Sequence, residues 1–484
     1  MMKSLLLWIS LAVLGSAVLG SSAVLAANPP PSGPLDVDAA VRMALQQNYV
    51  YQRAQAGLGI AEGNRLDAMA GLLPFATGDY TYQKQSNTTT LKGLDLITTS
   101  VNRGPETVTR RGSLDLDQTQ DASGFGVSLR EDLSFTNWYR YRSAQAGVSQ
   151  ARYGKEAAAQ DLAYQVRQQF YLTLRAQDLL KVQEEDLRLA QDQEKRTTSM
   201  FELGSVARVD VLKAKVRVSD AEVALIRQQN QVDIEKSHLA TLLGLGADAP
   251  LELAGELKAD VPTPDSSGAV TASVKRPDLE GARENLRSAS NLHRAARLSR
   301  IPGLFATFDY NINSGTSESD NINRQTLIDL DTPSAGDTTL TNVLYTFPVK
   351  SDLDFDGWNL RVGATVSLDA FLNTGQDKRT RAVMHQAEYD LKGLELEVQR
   401  QIEEAVLNTR ASMKAIEAAQ RGVESAEEDL RLSQERYQQG LGTVLELLEA
   451  QVNLTRARDT LVNALTSLKI SEAALDKARG ASLP

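Results

Sequence analysis

Residues 201–216 read FELGSVARVDVLKAKV, and residues 437–452 read YQQGLGTVLELLEAQV. The two stretches align without a gap. Phe201 stands against Tyr437, Gly204 against Gly440, Asp210 against Glu446, Leu212 against Leu448, Ala214 against Ala450 and Val216 against Val452. Long sequence rich in Gln, Glu, Ala and Leu flanks each copy. Glycine ends helices because it enters the left-handed region without the penalty of a β-carbon. Each copy therefore reads as the turn between two long helices, and a repeat of this period points to duplication.

Working outward, very long helices are expected over roughly 138–201 and 374–438, each spanning on the order of 95 Å at 1.5 Å per residue. Shorter return helices follow over roughly 207–243 and 443–478. The last carries a seven-residue repeat, Leu447, Leu454, Leu461, Leu468 and Leu475, with Ala450, Ala457, Ala464, Ser471 and Ala478 three residues on. The first half has Val211, Val218, Leu225, Val232 and Leu239 in the equivalent places. A sustained heptad means helix-on-helix packing, and alternating Leu with Ala lets the helices approach closely.

The repeat extends further. Leu35-Asp36-Val37-Asp38 opens a helix, with Asp36 or Asp38 as candidate N-cap and an apolar stripe at Val41, Ala44 and Leu45. It resumes after Asn48 and runs to Leu73, where Pro74 stops it. A matching segment begins at Arg276-Pro277-Asp278-Leu279 and ends at Ile301-Pro302. After each proline the apolar period changes from helical to alternating, at Ala76–Tyr82 and at Leu304–Ile312. Polar inserts follow, 85–122 and 314–355, too long for ordinary loops of about 4–6 residues. Each ends in a second alternating run. Phe125, Val127, Leu129, Leu133 and Phe135 fall on one face of Gly124–Phe135, and Trp358, Leu360, Val362, Ala364, Val366 and Leu368 on one face of Trp358–Leu368. These lengths suit membrane-spanning strands, apolar outward and polar inward. A half-buried soluble sheet also alternates. Gly244 to about Val274, with three prolines, reads as a linker that adds a small outlying layer.

The N-terminus favours the membrane reading. Met1-Met2-Lys3, the apolar run Leu5–Leu19 and Val24-Leu25-Ala26 form an export signal cleaved after Ala26. Asn28–Pro34 is then an extended linker rather than a continuing helix. No other apolar stretch reaches the ~18–20 residues that a spanning helix needs, so entry into a membrane requires a β-barrel. The expected boundaries are signal peptide 1–26, Pro-rich linker 27–34, first repeat 35–260 and second repeat 261–484.

Composition removes several functions. The net charge of −10 argues against nucleic-acid binding, which needs clustered cations. With no cysteine there is no disulfide framework, thiolate metal site or cysteine nucleophile. His238, His293 and His385 lie far apart with no ligand spacing. Asp352-Leu353-Asp354-Phe355-Asp356-Gly357 resembles the start of a calcium loop, but the twelfth position is Gly363 instead of Glu, and an ordinary acidic loop before a strand is favoured. Asp210, Glu446 and Glu449 stand out because they follow the duplicated break; the plain reading of helical carboxylates is a solvated face. No nucleophile–base set and no cofactor motif is present in the sequence, so no enzyme is expected.

Together, the doubled tips, the LxVxxAVxxALxxN opening at Leu35–Asn48, the prolines Pro74 and Pro302, and the turns at Ser134–Asn137 and Ala370–Gly375 resemble the TolC family of outer-membrane efflux proteins, over essentially the whole mature chain. The resemblance implies a mainly α fold with a membrane β-barrel. Long antiparallel coiled-coil hairpins would form a periplasmic α-barrel, and each protomer would give four strands to a trimeric twelve-stranded β-barrel. Four tilted strands are expected to leave open edges, which hydrocarbon does not tolerate, so a homotrimer is required. The implied function is a passive exit duct from an energised inner-membrane transporter and a periplasmic adaptor, seated in outer-membrane lipid of a Gram-negative-type cell. Alternatives are a type I protein-secretion conduit and a non-conducting coiled-coil adhesin. Asp210, Glu446 and Glu449 fall where the family narrows its entrance. Repeat equivalence sets Lys213 against Glu449, a cation alternating with an anion around a ring. Gly204, Ser205, Val206, Gly440, Leu441 and Gly442 are the expected adaptor-docking tips. Gly442 replaces a tip arginine found in some members.

Overall fold

The computed structural model describes residues 33–100, 106–258, 276–329, 339–366, 371 and 374–480. The expected signal peptide, most of the following linker and Leu368 lie outside the described residues. In chain order the elements are α1 (Val37–Gln47), α2 (Tyr49–Ala70), β1 (Phe75–Ser100), β2 (Glu106–Leu133), α3 (Phe135–Glu202), α4 (Arg208–Leu242), α5 (Pro277–Leu298), β3 (Gly303–Asp329), β4 (Thr339–Thr365), α6 (Thr374–Gln438) and α7 (Val444–Arg479). They form two compact units.

The first unit, residues 1–61, 148–286 and 386–484, is helical. Its heptads are core. Leu447, Leu454, Leu468 and Leu475 are buried, as are Ala450, Ala464, Ser471 and Ala478. Small residues between the leucines bring the helices close enough for the leucines to interlock. A second core joins Val41 and Ala44 of α1 to Val166 and Phe170 of α3 and Leu239 of α4. The chain after α4 adds a thin layer here: Leu35 and Leu253 form a parallel bridge, through Leu35 N–H to Glu252 O at 2.8 Å and Ala254 N–H to Leu35 O at 2.9 Å.

Helix ends repeat between the halves. Gly204, Gly244, Gly440 and Gly480 all have φ between 68° and 78°. At Gly204 the amide reaches Phe201 O (2.9 Å) and the next amide, of Ser205, reaches Met200 O (2.8 Å). Gly440 and Leu441 reach Tyr437 O (3.1 Å) and Arg436 O (2.9 Å) in the same way. This is the Schellman closure, which needs the left-handed residue that glycine supplies. Equivalent side chains then satisfy equivalent carbonyls: Asn48 Nδ2 donates to Leu242 O at 2.9 Å, and Arg276 Nη1 to Ala478 O at 3.5 Å.

The second unit, residues 62–147 and 287–385, holds the sheet. Its strands run β1-β2-β3-β4, each antiparallel to the next. One face is apolar. Tyr80, Phe125 and Ile312 share a row, Val127, Tyr310 and Trp358 the next, and Leu129, Phe308 and Leu360 the one after. The other face is polar: Thr77, Ser128, Asp309 and Asn359 form one row, and Asp79, Gly126, Asn311 and Gly357 the next. Glycine at 126 leaves room for its row neighbours: a β-carbon there would stand 2.8 Å from both Asp79 Oδ1 and Asn311 Oδ1, and those side chains would have to shift.

Four expectations are corrected here. The inserts 85–122 and 314–355 are largely strand, because β1 to β4 run 26 to 28 residues each and continue pairing far beyond the apolar rows. Phe135 starts α3 rather than ending β2. Asp352–Gly357 is part of β4, not a loop, and Thr316 Oγ1 donates to Asp352 Oδ1 at 3.0 Å. The outer edges of the sheet are not wholly open either. β1 meets β4 at the far tips, through Thr98↔Thr341, Thr99↔Leu340 and Ser100↔Thr339. Three pairs close the sheet there and leave most of both edges without a partner strand.

Candidate functional site

Both hairpin tips belong to the helical unit. After Gly204, Ser205 and Val206, α4 starts beyond its N-cap Ala207. After Gly440, Leu441 and Gly442, α7 starts beyond Thr443, whose Oγ1 accepts from Glu446 N at 3.2 Å. Asp210 and Glu446 therefore sit in the first turns of equivalent helices, where the helix dipole favours a carboxylate. Their equivalence thus has a structural cause as well as a functional reading. The tips are held together by apolar contact: Met200 and Val206 pack against a core formed by Leu430, Tyr437, Val444 and Leu447. Burial pushes the Tyr437 hydroxyl pKa up, partly offset by a hydrogen bond with Thr197 and reinforced by the nearby Asp210 charge.

Arg436 was not singled out by the sequence. Its Nη2 lies 3.8 Å from Glu446 Oε2 and donates to Leu441 O at 3.4 Å. It folds across Gly442, where a β-carbon would come 3.3 Å from Arg436 Cβ. A cation thus occupies the second tip from another position, although Gly442 itself brings none. Lys213 and Glu449 are both exposed and form no ion pair among the described residues.

A second polar group lies within the helix packing. Asp186 of α3 is 4 % exposed and takes Arg217 Nη2 of α4 at 2.5 Å. Its Oδ1 also accepts from Thr455 Oγ1 of α7 at 2.7 Å. Asp459 of α7 is pushed up to about 6, first by burial and then by Asp186. The folded state therefore keeps a proton on Asp459 between the ordinary carboxylate range and about pH 6, where the unfolded chain has lost it. This stability contribution is full at low pH and is lost as pH rises through about 6. Asp459→Asn should remove that slope, an effect on the order of 1 kcal/mol for a half-buried group. It is checked by comparing melting midpoints of wild type and variant at pH 5 and 7.5.

The chain matches the outer membrane efflux protein family over residues 40–245 and 269–481. It belongs to that family of outer-membrane channels. Among its relatives are a probable efflux pump outer membrane protein, TtgC, of Pseudomonas putida, 27% identical over 373 residues (75% of this chain, 69% of that one), and nodulation protein T of Rhizobium leguminosarum bv. trifolii, 25% identical over 431 residues (88% and 81%). The crystal structure of the outer membrane protein VceC of Vibrio cholerae superposes with a TM-score of 0.68 at 18% identity, covering 93% of this chain and 97% of that one. The fold is that of a channel with a helical barrel and a β-barrel. The protein is an outer-membrane exit duct with a periplasmic helical extension. The apolar face of the sheet accordingly faces lipid and the polar face lines the barrel.

Proposed function

We propose that three copies, each a duplication of 35–260 and 261–484, form one duct. It takes small solutes from an inner-membrane transporter through an adaptor seated on the tips. The observation that carries this reading is the pair of glycine-closed tips, which present exposed Leu203 (81%) and Leu441 (69%) beside Ser205 and Gly442. Exposed leucine next to small residues suits docking of a partner's helices. Assembly is supported by two unpartnered surfaces. The long edges of β1 and β4 need neighbours in hydrocarbon. An apolar stripe along α4, Val209, Leu212, Val216, Val223, Ile226 and Ile234, is exposed in the single chain at the spacing of a helix seam.

At the entrance, Asp210 and Glu446 would set six carboxylates at one level of the trimer, with Arg436 screening part of that charge. Lys213 and Glu449 would alternate at the next level and clasp neighbouring hairpins. Each exposed pair contributes only ~0–1 kcal/mol, so the clasp acts through three pairs together. Lys213→Glu is expected to raise single-channel conductance in planar bilayers by like-charge repulsion; unchanged conductance removes the clasp. Efflux is preferred over protein secretion because a relative at 27% identity is described as an efflux pump component. Crosslinking followed by identification of the co-purifying transporter separates the two.

A further inference from the structure

The strands pair without a register shift through the rows just beyond the lipid band, and along β4 the two faces exchange character at Gly357. On the side nearer the helices, Trp358, Leu360 and Val362 face lipid while Asn359 and Arg361 face the lumen. Beyond Gly357 the lipid-side positions carry Asp356, Asp354 and Asp352, all exposed, and the lumen-side positions carry Phe355 and Leu353. The neighbouring strands agree. The ion pairs Lys84–Asp121 at 3.4 Å and Lys350–Glu318 at 3.1 Å stand on the outer face in successive rows. Charge of this density does not stand in hydrocarbon, so this part of the sheet projects beyond the outer leaflet. Phe355 and Leu353 therefore line the duct outside the membrane.

The chain leaves both side chains open, Leu353 at 63% exposure and Phe355 at 57%. Leu353 shares its row with Gly315 and Ala122, and Phe355 shares the next with Asn313 and Gly124. Small neighbours thus form a low floor beside two apolar walls. Copies joined edge to edge through β1 and β4 would leave this face of the sheet open. A barrel of about eight strands is filled by its side chains and one of about sixteen holds an aqueous channel; the twelve of a trimer lie between, so the patches narrow the bore without sealing it. What reaches them is what the duct carries. The same face sets the charge of that cargo. Asp79 stands one row nearer the helices than Phe355, and Asp309 two rows nearer, whereas Arg361 is three rows away. Carboxylates beside an apolar patch favour a cation whose remaining surface is apolar, and its charge can also face the Phe355 ring.

We propose that Phe355 and Leu353 form a luminal patch, outside the membrane, that binds organic cations with a bulky apolar body on their way out. The patch rests on the duct reading, and one experiment separates the two. The purified protein is reconstituted in planar bilayers, and tetraethylammonium or tetrabutylammonium is added on the side of the strands. The two ions carry the same charge and differ in apolar bulk. Tetrabutylammonium should halve the wild-type current at about tenfold lower concentration, the factor that burial of about two methylene groups supplies. Leu353→Ser with Phe355→Ser should bring the two concentrations within about twofold of each other, with block by tetraethylammonium unchanged. Asp352→Asn with Asp354→Asn, on the outer face of the same strand, should leave the wild-type ratio as it is. Equal block of wild type by the two ions, or a ratio that the double serine variant does not move, overturns the patch and leaves the duct standing. Absence of channel steps in wild type overturns both.

Discussion

Arg217→Met is expected to speed amide hydrogen exchange around Asp186 in α3 and Thr455 in α7 by about 10²- to 4 × 10³-fold, the factor for the ~3–5 kcal/mol lost when one partner of a buried ion pair is removed. Arg217 is 15 % exposed and Asp186 4 %, so water cannot replace the guanidinium. Thr455 Oγ1 still donates at 2.7 Å, but a hydroxyl does not neutralise the charge. Asp459 worsens the loss, because its pKa is already raised by Asp186 as well as by burial. The double variant Asp186→Leu with Arg217→Met should recover most of the protection, since replacing both members of a buried pair by apolar residues is often neutral. Unchanged exchange in Arg217→Met would show that the pair does not hold α3, α4 and α7 together.

The second large effect concerns the tips. Gly204→Leu combined with Gly440→Leu is expected to reduce export to the level of cells lacking the protein, with the protein still reaching the outer membrane. Both glycines have left-handed backbone, φ 76° and 70°, where a β-carbon costs ~1–2 kcal/mol. Nothing lies within 4 Å of either built β-carbon, so the new side chains meet no core and the disturbance stays at the surface proposed for adaptor docking. Gly422→Leu is the matched control. It lies in α6 with open space around it and should export normally. Full export by the double variant would refute docking at the tips.

Much of this architecture is legible in the sequence because it rests on local rules applied twice. Gly204 and Gly440 declare their helix ends, and the Leu447–Leu475 heptad declares its buried face. The strands are legible only where lipid imposes alternation, at Ala76–Tyr82, Gly124–Phe135, Leu304–Ile312 and Trp358–Leu368. Beyond the lipid band, Thr-, Ser- and Asn-rich strand is held by backbone pairing and polar contacts such as Thr316 to Asp352, which leave no hydrophobic period to find. Asp186, Arg217, Thr455 and Asp459 were missed for a different reason. Helical carboxylates are usually solvated, and no sequence spacing reveals that Thr455 lands on Asp186 from the other hairpin. Arg436 escaped notice because its partner Glu446 stands across a turn rather than one helical turn away.

The central claim, a conducting duct assembled from several copies, is tested most directly by reconstituting the purified protein into planar lipid bilayers. The account predicts discrete, cation-selective single-channel steps from a complex whose native mass is three times that of one chain. It also predicts that Asp210→Asn with Glu446→Gln lowers the cation selectivity. A folded protein that sits in the bilayer as a monomer, or that shows no channel steps at any applied voltage, would contradict it.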